Sequence, residues 1–115
     1  MPPDEASAWR EDLHFMASEM ERTHKSLYHA ISREQFASAV AALDERIPEL
    51  ERHEVIVELA KIVASVGDGH TNIYPTRDAK IGFHTLPLAF TFFGDELYIR
   101  AAPESQRSLV GARVR

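Results

Sequence analysis

Apolar residues recur along the first half of the chain at spacings of three and four. Trp9, Leu13, Met16 and Met20 form one set; Phe36, Val40, Leu43 and Ile47 form a second; Val55, Leu59, Ile62 and Val66 form a third. Each set follows i, i+4, i+7, i+11, which lines its members along one face of an α-helix. Three such stripes predict a small three-helix bundle with short connections. The polar residues between them supply the punctuation. Ser32-Arg33-Glu34-Gln35 fits a capping box, with Ser32 accepting from the backbone and Gln35 reaching back. Pro48 stops the second helix just after Ile47. The third helix has no Ser, Thr, Asp or Asn at its start, where Glu49, Glu51 and Glu54 favour the positive helix end instead. Gly67 is a natural left-handed cap for its other end.

After Gly69 the period changes. Thr71-Asn72-Ile73-Tyr74 reads as a short strand before Pro75, and residues 76–85 read as loop. Leu88, Phe90 and Phe92 alternate with Ala89, Thr91 and Phe93; Gly94-Asp95 follows, and Leu97, Ile99 and Ala101 alternate again. Two alternating runs around a Gly-first pair predict an antiparallel β-hairpin with a primed turn. Leu109-Val110-Gly111-Ala112-Arg113-Val114 would begin a third strand. That strand finds no turn or partner before Arg115, so the sequence is expected to be a piece of something longer. The expected fold class is α+β: a helical bundle over 1–70, then a β-hairpin or three-stranded β element over 71–115.

Composition narrows the function classes. The 115 residues suit one domain, and 44% hydrophobic with 27% charged residues suits a globular chain. A net charge of −5 with no basic stripe argues against nucleic acid and offers no polybasic membrane anchor. No apolar run approaches the ~20 residues a membrane-spanning helix needs. The absence of cysteine removes disulfides, thiolate metal sites and a cysteine nucleophile. Met1-Pro2-Pro3-Asp4-Glu5 has no signal-peptide pattern, and the compartment stays unread.

The densest chemistry lies in Gly67-Asp68-Gly69-His70-Thr71. Two glycines permit positive backbone torsions, so a sharp turn can hold Asp68 and His70 in a fixed relation. Histidine is the side chain best suited to general-base work near neutrality, which makes His70 the candidate base. The structural alternative is that Gly67 caps the helix, Asp68 bonds its own turn and His70 packs with one nitrogen satisfied. A metal site from Asp68, His70 and His84 lacks any known ligand spacing, so no metal and no cofactor are expected. His14, His24, His29 and His53 lie among charges, where a solvated or capping role is the default. No serine stands in a Gly-x-Ser-x-Gly elbow, and no Gly-rich loop follows a strand. Phe90, Phe92, Phe93 and Tyr98 read as hairpin core or as an interface. A base-stacking platform would want more basic neighbours than Arg100.

The run Glu54-Val-Ile-Val-Glu-Leu-Ala-Lys-Ile-Val-Ala-Ser-Val-Gly-Asp-Gly-His-Thr71 resembles the N-terminal helical region of tail-specific (C-terminal-processing, tricorn-like) serine peptidases. Glu11-Asp12-Leu13, Thr23-His24, Leu86-Pro87-Leu88, Gly94-Asp95-Glu96-Leu97-Tyr98, Ala102-Pro103 and Val110-Gly111-Ala112-Arg113-Val114 are also similar to that family. The resemblance covers nearly the whole chain. It implies that a PDZ-like module and an α/β catalytic core follow, with the nucleophilic serine in that core. The chain would then be a serine-endopeptidase domain that is not self-sufficient and that shapes the substrate cleft. Its implied partners are the rest of the parent peptidase and a peptide or protein substrate; the family is often exported in bacteria. Tricorn-like members pair the serine with a histidine from the helical region, and His70 matches that position. Other members use a Ser–Lys pair, in which case Gly67, Asp68, Gly69, His70 and Thr71 are structural. A lysine or a glutamate in the core would separate the branches. The alternative function is a protein-interaction or assembly module, pairing through the hairpin's open edge and aromatic face.

Overall fold

Proline at positions 2 and 3 opens the first helix, because its fixed φ suits a first turn and its missing N–H is not needed there. The computed structural model describes residues 1–115. It places α1 at Pro3–Thr23, α2 at Arg33–Arg46 and α3 at Arg52–Ser65. The capping box of α2 forms: Gln35 N–H donates to Ser32 Oγ at 3.1 Å, and Ser32 N–H donates to Gln35 Oε1 at 3.0 Å. Ile47–Glu49 then tightens into a 3₁₀ turn containing Pro48. At α3 Glu54 takes the place that Gln35 has in α2, since its Oε2 accepts the Glu51 N–H at 2.9 Å.

The three stripes meet in one core. Phe36, Val40, Leu43 and Ile47 are all buried, as are Val55, Leu59, Ile62 and Val66. In α1 the stripe is only partly covered. Leu13 and Ala6 are buried, while Trp9, Met16 and Met20 pack on the core from its margin. Polar links tie α1 to α2: Arg10 Nε donates to the Asp44 carbonyl at 3.1 Å, and His14 Nε2 lies 2.8 Å from Asp44 Oδ1. These pairs are partly exposed and add little stability beside the apolar core.

The chain divides into two compact units, Met1–Arg77 and Asp78–Arg115. Thr71–Tyr74 does not form the expected strand. Its side chains bond locally instead, with Thr71 Oγ1 donating to Asp68 Oδ2 at 3.1 Å and Asn72 Nδ2 to the Gly69 carbonyl at 2.7 Å. Such local bonds compete with a sheet ladder. Short 3₁₀ turns at Pro75–Arg77 and Ala79–Ile81 interrupt the expected loop.

The second unit is a three-stranded antiparallel sheet of β1 (Ala89–Phe93), β2 (Glu96–Ala101) and β3 (Arg113–Val114), in that order. The protein is therefore α+β. Gly94 has φ 62° and no non-glycine residue has positive φ, so the β1–β2 turn needs a positive torsion only at its first central residue. That is the II′ pattern. The third strand is two residues long rather than six, and contrary to expectation it has a partner within the chain, β2. Glu104–Leu109 winds into 3₁₀ turns, and Gly111 at φ 88° swings the chain back so that its N–H meets the Ile99 carbonyl at 2.8 Å. Phe90, Phe92 and Phe93 are exposed, so they are not hairpin core; only Ile99 of the sheet is buried. No helix is long and apolar enough to cross a membrane.

Candidate functional site

The end of α3 builds the site. Val66 N–H donates to the Val63 carbonyl and Gly67 N–H to the Ala64 carbonyl, tightening the last turn. Gly67 then adopts φ +74°, and a Cβ there would stand 2.8 Å from the Ala30 Cβ. Glycine is thus demanded twice, by torsion and by space. Gly69 differs from expectation. Its φ is not positive and a Cβ there would meet nothing within 4 Å, so one glycine, not two, makes the turn.

Asp68 fixes the residues after it. Its Oδ1 accepts the His70 N–H at 2.9 Å, and its Oδ2 accepts the Thr71 hydroxyl at 3.1 Å. The Thr71 N–H adds a bond to the Asp68 carbonyl at 3.0 Å. A third side chain arrives from the far end of α1: His24 Nε2 lies 3.0 Å from Asp68 Oδ2 and 3.2 Å from Thr71 Oγ1. The Ser26 N–H donates to His24 Nδ1 at 3.1 Å, which assigns the ring proton to Nε2 and makes His24 a donor to Asp68. The backbone N–H of His70, with the His24 and Thr71 side chains, holds the Asp68 carboxyl below the usual aspartate range.

His24 is the residue that sequence reasoning passed over. Its own N–H closes α1 on the Met20 carbonyl at 3.0 Å. Its ring does more, and it is only 17% exposed. The one sequence signal was its place in Thr23-His24, within the peptidase-like pattern.

His70 is exposed, and only its backbone is bonded; its imidazole has no hydrogen-bond partner in the chain. The packed ring with one satisfied nitrogen is therefore not what forms. Asp68 has committed both oxygens to donors, which leaves His70 as the group of the turn free to take a proton from outside. No serine is paired with either histidine ring through its side chain. Ser65 Oγ donates to the Ile62 carbonyl at 2.6 Å, and Ser32 caps α2. His84 lies exposed in the second unit, and no three His, Cys, Asp or Glu side chains gather as a metal site.

Comparison with protein-family models, curated proteins and solved structures found no match to this chain.

Proposed function

We propose that this chain is the N-terminal, non-self-sufficient domain of a tail-specific serine endopeptidase, and that it presents His70 as general base to a serine carried elsewhere. The likeness of Glu54–Thr71 to that family motivates the reading. One observation carries it: a solvent-facing imidazole without a partner sits on a turn whose backbone is bonded to a fixed carboxylate. A general base must be free on the side from which the proton comes and restrained behind. His70 satisfies the first condition through its ring, and the Asp68 bond fixes the backbone from which that ring projects.

Two assays test this. The isolated chain should leave unstructured peptides and C-terminal tails uncut, and turnover without a catalytic core overturns the reading. In the parent enzyme His70→Ala should lower kcat by about 10²- to 10⁴-fold. A loss below about tenfold assigns His70 a structural role.

A second reading, an assembly module, draws on the sheet. Phe92 and Phe93 are each 68% exposed, and β1 is an edge strand. An open edge beside exposed aromatics suits pairing with another chain.

A further inference from the structure

Catalytic use of His70 requires more than a free ring. The residues that set its backbone must themselves be held, and the Asp68 carboxylate has to be kept from rotating away. Its Oδ1 is engaged by the His70 N–H at 2.9 Å, and rotation about the Asp68 side chain would break that bond. Oδ2 is where rotation is resisted, and two donors meet there, Thr71 Oγ1 at 3.1 Å and His24 Nε2 at 3.0 Å. Thr71 belongs to the same turn and moves with it. His24 does not: it is separated from Asp68 by 44 positions and anchored to the end of α1. Its ring is fixed from behind by the Ser26 N–H on Nδ1 at 3.1 Å, which also selects the tautomer that can donate forward.

We infer that His24 is a positioning residue for His70, acting through Asp68. It ties the turn to the body of the helical unit by a continuous line of bonds: Ser26 N–H to His24 Nδ1, His24 Nε2–H to Asp68 Oδ2, and Asp68 Oδ1 to His70 N–H. The inference rests on the peptidase reading for its catalytic consequence, but the mechanical link stands without it. Leucine at position 24 fills similar space and donates nothing. Glutamine keeps an amide donor at about the reach of Nε2.

The experiment has two arms. In the chain itself, amide hydrogen exchange at His70 reports its bond to Asp68. His24→Leu should speed that exchange by about tenfold or more, with α3 core amides unchanged, and His24→Gln should bring it back to within about threefold of wild type. Unchanged exchange at His70 in His24→Leu overturns the link. In the parent enzyme, His24→Leu should lower kcat by about tenfold with KM changed less than twofold, and His24→Gln should recover most of it. If His70→Ala cripples the enzyme while His24→Leu leaves kcat intact, the positioning role is wrong. If His70→Ala is harmless, the peptidase role of His70 is wrong, and the exchange arm alone decides the link.

Discussion

A side chain at Gly67 would collide with Ala30, Cβ to Cβ at 2.8 Å, where the end of α3 passes the segment joining α1 to α2. The collision adds to a torsional cost, because φ is +74°. Gly67→Ala should therefore destabilise the chain by about 2–4 kcal/mol, combining left-handed strain with overpacking. Gly94→Ala carries the torsion alone, at φ +62° in open space, and should cost about 1–2 kcal/mol. Gly69→Ala has neither penalty and should stay within about 0.5 kcal/mol of wild type. Urea denaturation of the three variants gives the order; equal losses at 67 and 69 would contradict the close approach.

The helices were legible because burial and spacing agree. Every member of the α2 and α3 stripes is buried, so a period of 3.6 carried the information in full. The α1 stripe was right in phase, but it lies at the margin of the core, where periodicity says nothing about depth. Thr71–Tyr74 misled because β-branched and aromatic residues there resemble a strand, while Thr71 and Asn72 spend their side chains on the turn. The shortened third strand has a similar cause, a positive φ at Gly111 that no alternation pattern announces. The role of His24 could not be read from its neighbours in sequence. Its partner lies 44 positions away, and only the approach of the α1 end to the α3 end brings them together.

The difference between centre and margin is measurable. Phe36 is 2% exposed and meets Tyr28 edge to face, with ring centroids 6.1 Å apart. Phe36→Ala should cost about 3–5 kcal/mol. Phe15 sits on α1 but is 67% exposed, off the buried stripe. Phe15→Ala should change stability by less than about 0.5 kcal/mol. Comparable losses for the two phenylalanines in chemical denaturation would mean that the assigned face of α1 is wrong.

Acid should weaken the turn in a way that depends on Asp68. The folded chain holds this carboxyl below its usual range, through the His70 N–H first and then His24 and Thr71. As pH falls, the unfolded chain takes up the proton first, which favours unfolding. The stabilisation from Asp68 is thus complete above the unfolded value of about 3.9 and fades as pH drops through the lower folded value. Asp68→Asn should be less stable than wild type at pH 7, and the gap should narrow as pH falls below the unfolded value of about 3.9. Glu5, Glu19 and Glu96 are also shifted down, but they are common to both proteins and cancel in the difference. A gap that stays constant from neutral to acid pH would show that the carboxylate's charge plays no part.

The sheet makes the sharpest test between the two proposed functions. Opposed residues in an antiparallel pair share a face, so the register Phe90↔Ile99, Phe92↔Leu97 and Leu97↔Val114 puts five apolar side chains on one side. The other side carries Thr91, Phe93, Glu96, Tyr98 and Arg113, with the Phe93 ring edge-on to Tyr98 and Arg113 Nη1 bonded to Glu96 at 2.7 Å. Phe92 stands at the exposed end of the apolar face. If that face serves assembly, covering Phe92 is worth roughly 1–3 kcal/mol. Phe92→Lys should then weaken self-association by about tenfold or more in sedimentation velocity over a concentration series. The same substitution leaves the turn at Gly94 and both strand registers intact, so thermal unfolding should be little changed. A wild-type chain that sediments as a monomer at every concentration, unaffected by Phe92→Lys, removes self-assembly as the role of this face.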